Sequence, residues 1–142
     1  MKIFEALRKD HDKQRALIKL LLDTHGESET RAEYYKQLKK ALETHAVAEE
    51  RYFYAPLMKA DDTVGLSRHG VAEHHQIDKL LAQLDELKLS SPQWLITFKK
   101  LAHKVDHHLT EEEHEFFQQA GKALTELEKT SLAKDYQADM AS

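Results

Sequence analysis

The feature that most restricts how this chain can fold is a repeat carried on helical spacing. Residues 45–56 read HAVAEERYFYAP and residues 108–119 read HLTEEEHEFFQQ. His45, Glu49, Glu50 and Phe53 return as His108, Glu112, Glu113 and Phe116, each 63 positions further on. The same offset runs backward without a gap, placing His11 on His74, Leu17 on Leu80, Ile18 on Leu81, Leu21 on Leu84 and Leu38 on Leu101. Apolar residues three and four apart in a unit of this length make it a helical hairpin, present twice. In a helix, a His and a Glu four residues apart share one face one turn apart, close enough to serve one metal site.

The rest of the chain agrees with helices and little else. Only four Gly and two Pro occur among 142 residues, and the abundant Leu, Ala, Lys, Glu and Gln favour helix over sheet. The first helix is expected over residues 3–25, ending at His25-Gly26, with His11 on its apolar stripe. Ser28 or Thr30 is available to cap a second helix over about 31–57, which Pro56 brings to an end. Residues 59–63 (KADDT) connect it to a third helix over about 63–88, with Asp61, Asp62 or Thr63 as its cap. Gly65 and Gly70 weaken that helix by about 1 kcal/mol each relative to Ala. Ser91 caps and Pro92 opens a fourth helix reaching about residue 127, interrupted if anywhere at Gly121. Residues 131–140 read as a short tail helix or a frayed end.

Four amphipathic helices with short links predict an all-α fold, an antiparallel up-down-up-down four-helix bundle with a short C-terminal helix and a pseudo-twofold axis between the hairpins. The length suits one domain over residues 1–142, its hairpins at about 3–57 and 63–127. No separate signalling domain is expected, since little sequence remains outside the bundle.

Cysteine is absent, which removes disulfides, thiolate metal sites and Cys nucleophiles and leaves nitrogen and oxygen as the only metal donors. The net charge is −4 with acids and bases interspersed, so no basic patch tracks a phosphate backbone and nucleic acid is not an expected partner. The N-terminus, MKIFEALRKDHDKQ, becomes charged too early for a signal peptide, and no apolar run approaches the ~20 residues of a membrane span. A cytoplasmic location away from membranes is expected.

Six ionisable residues lie on the stripes that should be apolar: His11, His45, Glu49, His74, His108 and Glu112. A lone His on such a stripe is more often a hydrogen-bonded core residue than a ligand. The two Glu change that balance, because an unpaired buried carboxylate costs several kcal/mol and no Lys or Arg occupies the equivalent stripe positions. A divalent or trivalent cation neutralises them. Turns near residues 28 and 91 put His11 level with His45 and His74 level with His108, so all six can meet in one layer of the bundle.

Other candidates are set aside on their neighbours. His107 has His-Glu spacing with Glu111, but it and His103 sit among Lys99, Lys100 and Lys104 and belong on the solvent face. His25, His69 and His114 are expected at the surface or at helix ends. His75 has no repeat partner, because position 12 is Asp, and is expected beside the ligands or exposed. Glu50 and Glu113 point about 100° away from the ligand face and are expected to be solvated, with a role as acceptors for the ligands as the alternative. Phe53 and Phe116 are core. Tyr52, three residues after Glu49, is the phenol expected nearest the metals, with plain packing as the alternative.

Taken together, DH at 10–11, HAVAEERYFYAP at 45–56, EHH at 73–75 and HLTEEEHEFF at 108–117 resemble the hemerythrin superfamily, specifically the small bacterial hemerythrin-like proteins with an HHE cation-binding domain. The resemblance implies a four-helix bundle holding two non-haem irons, bridged by two carboxylates and an oxygen species. Glu49 and Glu112 would be the bridges, His11 and His45 would serve one iron, and His74 and His108 the other. Iron rests on the resemblance, since imidazole and carboxylate also suit zinc and copper.

One departure stands out. The family's oxygen carriers have a fifth histidine one turn before the residue matching His74, and here that position is Gly70. The gap leaves room for water, an exchangeable ligand or a side chain such as Tyr52. The implied function is a diiron protein that binds dioxygen or a related small ligand, for oxygen or redox sensing or for holding iron. The alternative is a diiron enzyme acting on peroxide or nitric oxide. A metal-free helical module whose polar layer fixes register is disfavoured by the two carboxylates.

Overall fold

The computed structural model describes residues 1–26 and 28–142, and every regular element among them is helical. Helix α1 (Ile3–Leu22) ends three residues before the predicted stop. Its end is closed at Asp23, whose amide donates to Leu20 O and Leu21 O, and Gly26 in the connection that follows has a φ of 58°, a left-handed conformation that Gly adopts without a Cβ penalty. Buried Arg31 secures this end of the bundle, donating to Thr24 Oγ1 at 2.9 Å, Thr24 O at 2.7 Å and Leu89 O at 2.6 Å.

Helix α2 (Glu29–Glu49) begins at Ser28, whose Oγ accepts from the Arg31 amide at 3.0 Å as predicted. It passes into a π-helical turn (Glu50–Tyr54) and on into α3 (Ala55–Leu57), so the three make one rod. Helix α4 (Asp61–Asp85) starts after Ala60, which offers no side-chain cap. The predicted caps lie inside its first turn instead. Asp61 and Asp62 place negative charge at the positive helix end, and the Thr63 hydroxyl donates to Leu57 O at 2.6 Å.

Helix α5 (Pro92–Glu111) starts as expected, with Ser91 Oγ accepting from the Trp94 amide at 3.1 Å. A second π-helical turn (Glu112–Phe116) leads into α6 (Phe117–Ala123). Gly121 does not break this rod. The chain leaves it at extended Leu124, short of the predicted residue 127, and Thr125 caps a separate helix α7 (Glu126–Ala141).

Helix α1 packs against α2 and α4 against α5, while α7 lies across α1 and α2. This is the predicted bundle with a fifth, capping helix. Two apolar layers fill its ends. One contains Ile3, Leu7, Phe53, Tyr54 and Phe117; the other contains Leu21, Leu38, Leu81, Trp94 and Phe98. Leu22, the last residue of α1, is 40% exposed. No described helix is long and apolar enough to cross a membrane.

Candidate metal centre

Between the two apolar layers, all six predicted side chains are buried and meet. Glu49 Oε2 lies 3.4 Å from His45 Nε2 and 3.9 Å from His11 Nε2. Its other oxygen lies 3.0 Å from His74 Nε2 and 3.9 Å from His108 Nε2. Glu112 spans the same two pairs, with Oε1 3.2 Å from His11 Nε2 and Oε2 3.5 Å from His108 Nε2. Each carboxylate therefore offers one oxygen to each histidine pair. Within His11, His45, Glu49 and Glu112, and within Glu49, His74, His108 and Glu112, one donor atom per residue falls inside a 4.8 Å sphere of mutual distances. Donor separations near 3 Å suit bonds of ~2.1 Å at right angles.

The hydrogen-bonding account points to cations as well. His11 Nε2, His45 Nε2, His108 Nε2, both Glu49 oxygens and Glu112 Oε1 are buried without a hydrogen-bond partner. Buried polar atoms are nearly always satisfied. Here the orphans converge, which is what ligand atoms do when the partner is an ion.

Each histidine is oriented through its far nitrogen. His11 Nδ1 donates to Glu113 Oε2, His74 Nδ1 to Glu50 Oε2 and His108 Nδ1 to Glu73 Oε1, each at 2.7 Å. A carboxylate accepting at Nδ1 leaves the Nε2 lone pair facing the centre and raises its basicity. Glu50 and Glu113 are thus acceptors for the histidines, the alternative to simple solvation. A 100° rotation takes them off the ligand face but onto the neighbouring rod's histidine, and Arg15 holds Glu113 with donors at 2.9 and 3.0 Å.

The fourth histidine is supported differently. His45 Nδ1 donates to Tyr136 Oη at 2.6 Å, and that hydroxyl donates to Asp10 Oδ2. Asp10 and Glu73 occupy equivalent repeat positions, but Asp is one methylene shorter and its Oδ2 stops 3.9 Å from His45 Nδ1. Tyr136 lies outside the repeat, so repeat matching misses it. The motif TELE at 125–128, a capping box opening a helix, was the available signal.

The phenol at the centre is Tyr54, not Tyr52. In an α-helix the residue four after Glu49 shares its face; the π turn adds a residue, bringing the fifth inward. Tyr54 is fully buried and donates to Glu112 Oε2, whereas Tyr52 is only partly buried. Gly70 makes this packing feasible, since a Cβ there would overlap the Tyr54 ring and hydroxyl. The partner hairpin has Leu7 and Phe117 at the equivalent positions. His11 stacks on the Phe117 ring at 6.0 Å, while His74 packs edge-on to Tyr54 at 5.7 Å. The pseudo-twofold is therefore broken at the phenol.

His25, His75, His103 and His114 are exposed as expected. His69 and His107 are exposed but belong to a rim cluster, in which His69 Nε2 is 2.8 Å from Glu111 Oε1 and Lys104 Nζ donates to Glu73 Oε2 at 3.2 Å. Gln14, a core residue unmarked by the sequence pattern, is buried with its Nε2 unpartnered. It lines a small cavity with Leu42, His45, His74, Val105 and His108.

Charge balance inside the layer is correspondingly strong. Burial pulls the four histidines toward neutrality, but the carboxylates outweigh it, raising His74 to about 9 and His108 to about 10. His11 and His45 are raised likewise. Burial pushes Glu49 up, yet the surrounding histidines hold it well below the usual carboxylate range. Burial and the charges of Glu112 and Glu49 push Tyr54 well above an ordinary phenol.

The family described as hemerythrin HHE cation binding domain matches residues 2–120. The crystal structure of a hemerythrin HHE cation binding domain-containing protein from Mycobacterium kansasii superimposes with a TM-score of 0.88 over 99% of this chain and 86% of that one, at 22% identity. A DNA nickase from Nostoc sp. is 27% identical over 138 residues, covering 97% of this chain and 39% of the relative. The chain thus spans about two fifths of that relative's length. Matched from Lys2 to Ala120 and folded around a buried layer of His and Glu, the chain belongs to the hemerythrin HHE cation-binding domain family.

Proposed function

We propose that this protein holds two non-haem irons, with His11 and His45 on one, His74 and His108 on the other, and Glu49 and Glu112 shared between them. The observation that carries the reading is the convergence of buried, unpartnered Nε2 and carboxylate oxygens from both hairpins on one layer. A pair of irons there supplies the redox chemistry needed to bind or reduce dioxygen, peroxide or nitric oxide. The chain's own contribution is to fix the imidazoles through Glu113, Glu73, Glu50 and Tyr136 and to keep the layer dry between two apolar caps.

A cavity of about 10 Å³ lies beside His45, His74 and His108, also lined by Ala46 and Asp78, and is room for about one water-sized molecule. The unpartnered Gln14 amide is a hydrogen-bond donor inside it. Binding of dioxygen or a related molecule is the function this arrangement supports best. Tyr54, a phenol against Glu112 where the oxygen carriers have a histidine, favours a second reading in which peroxide or nitric oxide is turned over. Nicking of DNA is not carried over from the Nostoc relative, because a net charge of −4 with interspersed acids and bases offers no phosphate-tracking surface.

The test is metal content by plasma mass spectrometry with a visible absorption spectrum on chelator-free protein. The expected outcome is about two irons per chain with oxo-bridge absorption in the wild type. Glu49→Ala and Glu112→Ala lose at least one metal, and His107→Ala keeps both. Equal retention in all three variants overturns the assignment. Catalytic consumption of peroxide by the iron form, as opposed to bleaching, decides between the two functional readings.

A further inference from the structure

The repeat gives each half of the centre the same supporting device with one exception. Three histidines donate directly to a carboxylate at 2.7 Å, whereas His45 reaches Asp10 only through the Tyr136 hydroxyl. Tyr136 is carried by α7, which lies beyond the residues the family matches. That helix packs against α1 and α2 with few fully buried side chains. Lys129, Ala133 and Tyr136 are buried, Leu132 and Met140 are partly buried against the core, and Leu127 is 76% exposed. Apart from the Tyr136 bonds, its polar attachments to the bundle include Arg51 to Asp139 at 2.9 Å, Lys2 to Glu126 at 3.1 Å and Gln137 to Met1 Sδ at 3.1 Å, all at the surface. Such surface pairs contribute little. Tyr136 is fully buried, packs edge-on to His45 at 5.9 Å and is the largest apolar surface α7 places in the core.

We propose that Tyr136 is a positioning residue that couples docking of helix α7 to the cation held by His11 and His45, making the two cation positions unequal. With α7 docked, the Tyr136 hydroxyl completes the chain from Asp10 to His45 and holds the imidazole with Nε2 toward the centre. Asp10 Oδ2 stands 3.9 Å from His45 Nδ1 in the docked arrangement, beyond direct hydrogen-bond reach, so undocking of α7 takes away the hydroxyl through which His45 is oriented. Occupancy and docking therefore favour each other reciprocally. The other cation position has no such dependence, because Glu73 reaches His108 directly. This inference rests on the metal-binding reading above and assigns a mechanism of release to one half of it.

The experiment compares full-length wild type, Tyr136→Phe and the double variant Asp10→Glu/Tyr136→Phe. Metal stoichiometry and affinity are measured by competition with a chromogenic chelator, using ferrous iron anaerobically and zinc as a redox-inert probe. Hydrogen exchange over residues 126–141 is followed with and without metal. Wild type is expected to hold two cations. Tyr136→Phe keeps the ring and its packing, and is expected to hold one cation as before and the other 10- to 100-fold more weakly, the usual effect of losing a ligand's outer partner. Asp10→Glu copies Glu73, adding the methylene that closes the gap, and is expected to restore the weakened position. Metal should slow exchange in α7 of the wild type and not in Tyr136→Phe. Unchanged affinity in Tyr136→Phe, failure of Asp10→Glu to rescue, or metal-independent exchange in α7 each overturns the coupling. A wild type that takes up no cation overturns instead the metal-binding reading itself.

Discussion

Gly70 and Tyr54 show how one residue pair decides the character of one side of the centre. A methyl at position 70 would meet Tyr54 Cε1 at 2.6 Å and overlap atoms closer to the hydroxyl. Real Cβ contacts do not come that close, and both partners are on packed helices. Gly70→Ala is therefore expected to destabilise the fold by about 1–3 kcal/mol through overpacking, read as a lower denaturant midpoint. In a Tyr54→Leu background the clash is gone, and the same change should become neutral or stabilising by up to about 1 kcal/mol, the helix preference of Ala over Gly. Additivity of the two substitutions would show that they do not touch. The six residues that converge on the buried layer are legible in the sequence because a stripe is a matter of spacing alone. Tyr54 could not, because a π turn adds one residue to the count without leaving a composition signal. Glu50 and Glu113 were visible as repeated residues, but their partners lie on other rods, and no local rule locates a contact 102 positions away as in His11 to Glu113.

At the scale of elements, the four long helices follow from stripes, from Ser28 and Ser91 caps and from Pro92, and all of these act locally. Helix α7 forms where a short tail helix over residues 131–140 is expected, but it starts earlier, at Glu126, because its start is set by capping chemistry and not by an apolar pattern. Thr125 Oγ1 accepts from the Glu128 amide at 3.1 Å, and Glu128 Oε1 accepts from the Thr125 amide at 2.8 Å. This reciprocal pair satisfies two otherwise orphaned donors at the helix start. Thr125→Ala is expected to cost about 1 kcal/mol. Because α7 is an outer layer with few buried side chains, the loss should be local. Amide exchange across residues 126–141 should quicken about fivefold, with α1, α4 and α5 unchanged. Uniform quickening through the whole chain would mean that α7 opens only when the bundle unfolds.

For the molecule as a whole, the buried layer makes stability depend on both pH and cation. Without metal, the carboxylate of Glu49 is balanced by protons on the histidines, with His74 raised to about 9 and His108 to about 10 from an unfolded value of 6.5. A raised pKa means the folded state binds the proton more tightly than the unfolded chain does. The resulting stability is complete below about pH 6.5 and is lost as pH rises through about 9 to 10. The acidic limit comes from groups moved the other way. Glu73 and Glu113 are held at about 2 against 4.5, so their contribution is present above about pH 4.5 and fades as pH falls toward 2. Metal-free protein should therefore melt highest between about pH 4.5 and 6.5 and progressively lower toward pH 9. A cation changes the upper side of that curve, since Nε2 must shed its proton to bind metal and rising pH then favours the loaded form. Scanning calorimetry of apo and zinc-loaded protein from about pH 6 to about pH 9 should show a gap in melting temperature that widens with pH. A gap that is constant or narrows would mean that the histidines are not protonated in the empty layer, and that the carboxylates are balanced by something other than the four imidazoles.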